Sequence, residues 1–173
     1  MNTFRTWLEQ EEEIKRIHMA GKPFEFQNQQ QRPAHKPIGL WYDCSGEWIR
    51  HLRRATGMPQ SYYDAHHYYE VIPNFQRVLK IDTPEKFLAF EKQYGVARGD
   101  EPNKYLDAFL KSTDISRIDW PKVAMQYSGI EICPYQSQFR SVSDRRSHDW
   151  YAGWDVASGC IWAKDGLLEL RPV

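Results

Sequence analysis

The 173-residue chain has no excess of charge of either sign: 23 Lys and Arg stand against 23 Asp and Glu. A balanced chain exerts no long-range pull on nucleic acid or on an acidic membrane surface. No apolar run approaches the roughly 20 residues that a membrane-spanning helix needs. The first residues hold Glu9 and Glu11-Glu12-Glu13 where an export signal would place a basic and then an apolar segment. Phosphate-cradling patterns are missing too. There is neither Gly-x-x-x-x-Gly-Lys-Ser/Thr nor Gly-x-Gly-x-x-Gly, which argues against a P-loop nucleotidase or a dinucleotide-binding Rossmann unit. Cysteine is scarce, and Cys44, Cys133 and Cys160 form an odd set without paired spacing. Three reduced thiols in a cytoplasmic protein are the expectation.

What the chain has in plenty is aromatic surface. Aromatics are 14% of its residues, with seven Trp and ten Tyr, so its apolar content is concentrated in large flat side chains. These suit a core, and equally a pocket that stacks a base or a nicotinamide ring. A chain of this length favours one domain and buries about 70% of its extended surface.

Local patterns predict the elements. Thr3 caps a short peripheral helix over 3–13, and Ile14 to Met19 reads as a strand with Arg16 and His18 on one face and Ile17 and Met19 on the other. Gln27 to Pro33, with its four Gln, reads as a polar loop or lid. Ile38 to Tyr42 is the next strand, after which Ser45 has the chemistry of an N-cap for a helix over 46–55. The end of Tyr62 to Ile72 reads as a strand pairing with Phe75 to Ile81 across Pro73-Asn74. Thr83 and Pro84 open the clearest helix, which Gly95 stops. A helix over 103–111 follows the loop Gly99 to Pro102, and Asp119-Trp120-Pro121 opens another that runs to about Tyr127. Gly129 to Cys133, Gly159 to Trp162 and Leu167 to Leu170 are strands, and Gln136 to Asp149 a long polar loop. The sum is an α+β domain, a curved and mostly antiparallel sheet of about six strands with three or four helices outside it.

Several residues bear chemistry. His66-His67 lacks metal-ligand spacing and reads as ordinary surface and half-buried histidine. Cys44 precedes a helix start, where the dipole favours a thiolate, but no base accompanies it and a buried inert thiol is the simpler reading. Arg140, Arg145, Arg146 and His148 form the one basic cluster, which reads as a solvated loop surface or a phosphate contact. Glu131 interrupts the apolar run Ile130-Glu131-Ile132, where an ionisable side chain needs a reason; strand alternation pointing it at solvent is the competing one.

The strand bearing His18, then Gly39-Leu40-Trp41-Tyr42, then Ser45 at a helix start, resembles the first half of the ADP-ribosyltransferase fold in its poly(ADP-ribose) polymerase-type branch. Lys36-Pro37-x-Gly39-Leu40-Trp41 together with Trp154-Asp155-Val156-x-Ser158-Gly159-Cys160-Ile161-Trp162 is similar to uncharacterised phage-encoded proteins. The resemblance implies NAD as substrate and no metal. It gives His18 to the ribose, Trp41 or Tyr42 to the nicotinamide ring and Ser45 to the carboxamide. Its catalytic carboxylate falls to Glu131 first and Asp155 second, to stabilise an oxocarbenium-like ribose. The sequence departs from the family at Ser158, which stands about where the family's Glu is expected, and after His18, where the usual Gly-Thr is absent. An acceptor in a host, protein rather than nucleic acid, is implied as partner. Two rival readings come from other classes: a non-enzymatic phage or virion accessory protein that keeps the fold as a binding surface, and a nucleic-acid module using the aromatics for stacking. Trp41, Trp48, Trp154 and Trp162 as plain core is the simplest alternative of all.

Overall fold

The computed structural model describes residues 14–97, 115–140 and 148–173. The expected helices over 3–13 and 103–111, the loop Gly99 to Pro102, Arg145 and Arg146 lie outside the described residues. In chain order the elements are β1 (Arg16–Ala20), β2 (Leu40–Cys44), α1 (Glu47–Thr56), α2 (Gln60–Asp64), β3 (His67–Pro73), β4 (Val78–Ile81), α3 (Pro84–Tyr94), β5 (Gly95–Ala97), β6 (Ile115–Ile118), α4 (Trp120–Ala124), β7 (Gly129–Ile132), β8 (Ser158–Ile161) and β9 (Leu167–Pro172). Seven strands form one sheet in the order β4-β7-β8-β2-β1-β3-β9, and β5 pairs with β6 in a small second sheet. All neighbours in the large sheet are antiparallel except β4 and β7. The domain is α+β, as its patterning predicts.

Connectivity dictates the curl of the sheet. β3 and β4 lie five strand positions apart in that order, which in a flat sheet is about 24 Å. The chain from Pro73 to Val78 spans at most about 18 Å when fully extended, so the sheet must bend to bring its ends together. Its concave side accordingly holds Val71 of β3 and Val78 of β4 in one cluster with Phe26, Leu40, Tyr42 and Ile161, against which Leu167 and Leu170 pack. The expected hairpin across Pro73-Asn74 is corrected by this arrangement. β3 pairs with β1 and β9, and β4 pairs in parallel with β7.

The convex side of β4, β7 and β8 carries the aromatic core. Ile81, Ile130 and Ile132 meet Phe87 and Phe90 of α3, with Trp120, Trp150, Trp154 and Trp162 filling the layer. α3 forms where its caps predict: the Thr83 hydroxyl accepts the Lys86 N–H, Pro84 takes the first turn, and the helix gives way at Gly95. His148 is buried, its Nδ1 2.6 Å from Glu91 Oε2, which also accepts the Trp150 indole N–H at 2.8 Å. This histidine therefore ties α3 to the following turn and does not belong to a solvated basic surface.

Other expectations change as well. The Gln27 to Pro33 loop is tied down rather than lid-like: Gln29 N–H donates to the Trp162 carbonyl, Asn28 Oδ1 accepts from Lys164 N, and the Gln31 amide bonds the Ile38 backbone in both directions. His66 Nδ1 lies 2.6 Å from the Tyr62 carbonyl, and His67 is exposed, in line with the ordinary roles read for them. Cys44 and Cys133 form a disulfide, while Cys160 is free and buried. The expectation of three reduced thiols is corrected, and the compartment inference that rested on them goes with it.

Candidate functional site

Strand alternation sorts the sequence-predicted residues onto two faces. Register pairs Ile17 with Asp43, and Asp43 in turn with Ser158, so these three side chains share the convex face. Met19 and Trp41, each two residues along its strand, join them. Tyr42 and Glu131 are both opposite Gly159, and lie on the concave face with Arg16 and His18.

On the convex face a cleft of about 270 Å³ is lined by Ile17, Met19, Lys36, Trp41, Asp43, Trp48, Asp155, Val156 and Ser158, together with His18 and Tyr42. Alternation means that His18 and Tyr42 reach it through their backbone. The volume is just under the about 300–1,000 Å³ of typical small-molecule sites. Trp41 is braced edge-on by Trp154 at 4.9 Å, and Lys36 Nζ sits 5.1 Å from the centre of its ring. A ring held in this way needs little ordering before it stacks on a ligand. Burial lowers the Lys36 pKa, opposed by the Asp155 carboxylate nearby. Asp155 itself is bonded by Arg140 Nη2 at 3.2 Å, with a side chain 30% exposed.

Asp43 is the residue that the sequence reading passed over. Its Oδ1 accepts the Gly46 N–H at 3.0 Å and its Oδ2 the Trp48 N–H at 2.9 Å, so it does the capping expected of Ser45. Ser45 instead takes a left-handed backbone, φ 62°, immediately before Gly46 at φ 72°. Two successive left-handed residues swing the chain so that the carboxylate two residues back faces the open helix end. The N-cap position itself falls to Gly46, with no side-chain cap bond, and Ser45 is exposed and not among the residues lining the cleft. Burial raises the Asp43 pKa, against the pull of the two amide donors. The alternation of Trp41 and Asp43 was the available signal that these two side chains share a face.

The concave face holds a buried polar network. Glu131 is fully buried. Its Oε2 accepts Arg16 Nε at 2.5 Å and the Tyr42 hydroxyl at 3.1 Å, and its Oε1 accepts Arg16 Nη2 at 3.0 Å. A bidentate guanidinium and a phenol are what make a carboxylate tolerable away from water. Space for the network comes from Gly159, because a Cβ there would run into the Tyr42 ring. Burial, and then the Glu131 charge, push the Tyr42 pKa well up, so the phenol stays a donor. His18 packs on Phe24 at 4.7 Å, and its Nδ1 lies 2.6 Å from the Trp41 carbonyl. Burial lowers its pKa.

The sequence-predicted set is thus divided. Trp41 and Asp155 come together at the cleft, Tyr42, Glu131 and the His18 ring face the other way, and Ser45 stands apart. Among the described residues no helix is long and apolar enough to cross a membrane. Comparison with protein-family models, with curated proteins and with solved structures finds no match to this chain.

Proposed function

We propose that this domain is a non-enzymatic binding protein whose convex cleft receives one planar aromatic ring of a larger ligand, and that NAD, entering by its nicotinamide ring, is the ligand to test first. The observation that carries this reading is the separation of Trp41 from Glu131. The resemblance to ADP-ribosyltransferases needs an aromatic wall and a carboxylate at one place. Here Trp41 walls the cleft, whereas Glu131 is on the opposite face with both oxygens engaged by Arg16 and one also by Tyr42. At about 270 Å³ the cleft lies just below the usual range of small-molecule sites, which suits one ring of a larger ligand.

A second reading has one observation in its favour. Asp155 lines the same cleft as Trp41, so an NAD-consuming transferase acting on a protein acceptor would use Asp155 as its carboxylate. Calorimetry with NAD, nicotinamide and ADP-ribose, combined with chromatographic detection of released nicotinamide, separates the two. The binding reading expects NAD and nicotinamide to bind, Trp41→Ala to weaken both by roughly tenfold, the worth of one ring stack, and no nicotinamide to appear. Release abolished by Asp155→Asn favours the transferase instead. A folded protein indifferent to NAD and to nicotinamide overturns both.

A further inference from the structure

The disulfide lies in unusual company. Cys44 ends β2, Cys133 directly follows β7, and β8 runs between those two strands. The bridge therefore arches over a strand, and the residue beneath it is Ala157, whose carbonyl accepts the Cys44 N–H at 3.0 Å. Only a small side chain leaves that arch open. Cys44, Cys133 and Ala157 form a separate buried cluster. Two residues before Cys133, on the same face, stands Glu131. The two Sγ atoms and a Glu131 oxygen all lie within 4.8 Å of one another, and all three residues are buried.

From this we infer that the reduced form of the protein is a binding site for one soft divalent cation of the zinc class, held by Cys44, Cys133 and Glu131. A tetrahedral zinc with bonds of about 2.0–2.3 Å sets its ligand atoms roughly 3.3–3.8 Å apart, so the sulfurs need only separate after reduction. The Cα atoms are 6.7 Å apart, at the wide end of the about 4.4–6.8 Å that a disulfide crosses, and two ligands of one ion span the same distance. Glu131 Oε1 accepts from Arg16 Nη2 and retains a further lone pair for a metal. Charge also balances. In the oxidised protein the Glu131 carboxylate offsets Arg16; in the reduced, loaded protein two thiolates offset the dication and that pair is unchanged. A buried group of zero net charge is what a low-dielectric interior tolerates.

The chemistry is a two-electron exchange followed by ligation. A dithiol reductant attacks the Cys44–Cys133 bond through a mixed disulfide, leaves as its own cyclic disulfide, and delivers two protons with the two electrons. The dication then displaces both thiol protons to solvent.

The test uses the full chain, reduced with a metal-free phosphine and given zinc sulfate or cobalt chloride. Competition with a chromophoric chelator is expected to show one zinc per chain, lost in Cys44→Ser and in Cys133→Ser and kept in Cys160→Ser. The cobalt form is expected to show thiolate charge-transfer absorption, and the oxidised chain to bind nothing here. Glu131→Gln is expected to bind roughly tenfold or more weakly, on the scale of losing an oriented ligand contact. Should the serine variants not fold, zinc protection of Cys44 and Cys133 from alkylation in the reduced wild type, mapped by peptide mass, gives the same decision. A folded, reduced chain without stoichiometric zinc, zinc retained in Cys44→Ser, or no protection of the two thiols overturns the site. Equal affinity in Glu131→Gln removes the carboxylate from it.

Discussion

Replacing Arg16 by Met tests whether Glu131 is a structural or a catalytic group. The substitution keeps most of the side chain's length and apolar stem but removes the guanidinium that holds both oxygens of a fully buried carboxylate. Leaving one partner of a buried ion pair uncompensated costs about 3–5 kcal/mol. For a chain of this size each kcal/mol moves the melting temperature by about 2–4 °C, so a fall of roughly 6–20 °C is expected. Glu131→Leu combined with Arg16→Met removes both charges and restores most of the loss, since an apolar pair of similar volume is about as stable as the ion pair. Urea unfolding of the wild type, the two single variants and the double variant closes the cycle, with a coupling energy well above the roughly 0.5 kcal/mol scatter of independent sites. Ligand binding at the cleft in the folded fraction of the single variants is expected to match wild type. An Arg16→Met cost under about 1 kcal/mol, the range of an exposed pair, or single losses that simply add in the double variant, would refute a structural role for the Arg16–Glu131 pair.

Three further outcomes follow from the geometry. Asp43→Ala leaves the Gly46 and Trp48 amides without their acceptor and is expected to cost about 1–2 kcal/mol, while Ser45→Ala stays within about 0.5 kcal/mol; chemical denaturation of both variants ranks the two caps, and equal costs would return the role to Ser45. Burial lowers the His18 pKa, so between that value and the ordinary 6.5 the unfolded chain binds the extra proton. Stability therefore falls as pH drops through this window, and His18→Gln is expected to flatten that part of the pH profile of the urea midpoint. An unchanged profile would mean that His18 does not titrate differently in the two states. Gly159→Ala drives a methyl into the Tyr42 ring and hydroxyl and is expected to cost about 1–3 kcal/mol as an overpacked site, with Tyr42→Phe failing to rescue it fully because ring carbons occupy the space as well as the hydroxyl.

Much of the local structure is legible in the chain before any tertiary contact is known. Thr83-Pro84 with Gly95 delimits α3, and Asp119, accepting the Lys122 N–H at 3.2 Å, opens α4 with Pro121 behind it. Caps and prolines act within one turn, so a few neighbouring residues contain all the information. The apolar runs at Gly129–Ile132 and Ser158–Ile161 predict buried strands for the same reason. Alternation along β2 likewise puts Trp41 and Asp43 on one face and Tyr42 on the other.

The rest depends on residues far apart in sequence. β4 joins β7 instead of β3 because the curl brings opposite ends of the strand order together, and no turn signal at Pro73-Asn74 encodes that. Glu131 turns inward because Arg16, 115 positions away, reaches it across the concave face and Gly159 leaves room for Tyr42 beside it. Cys44 and Cys133 are 89 residues apart and meet only over the small Ala157. Alternation states which residues share a face of one strand. Which face is cleft and which is sealed interior is decided by the direction in which the sheet bends, a property of the whole chain and of no segment within it.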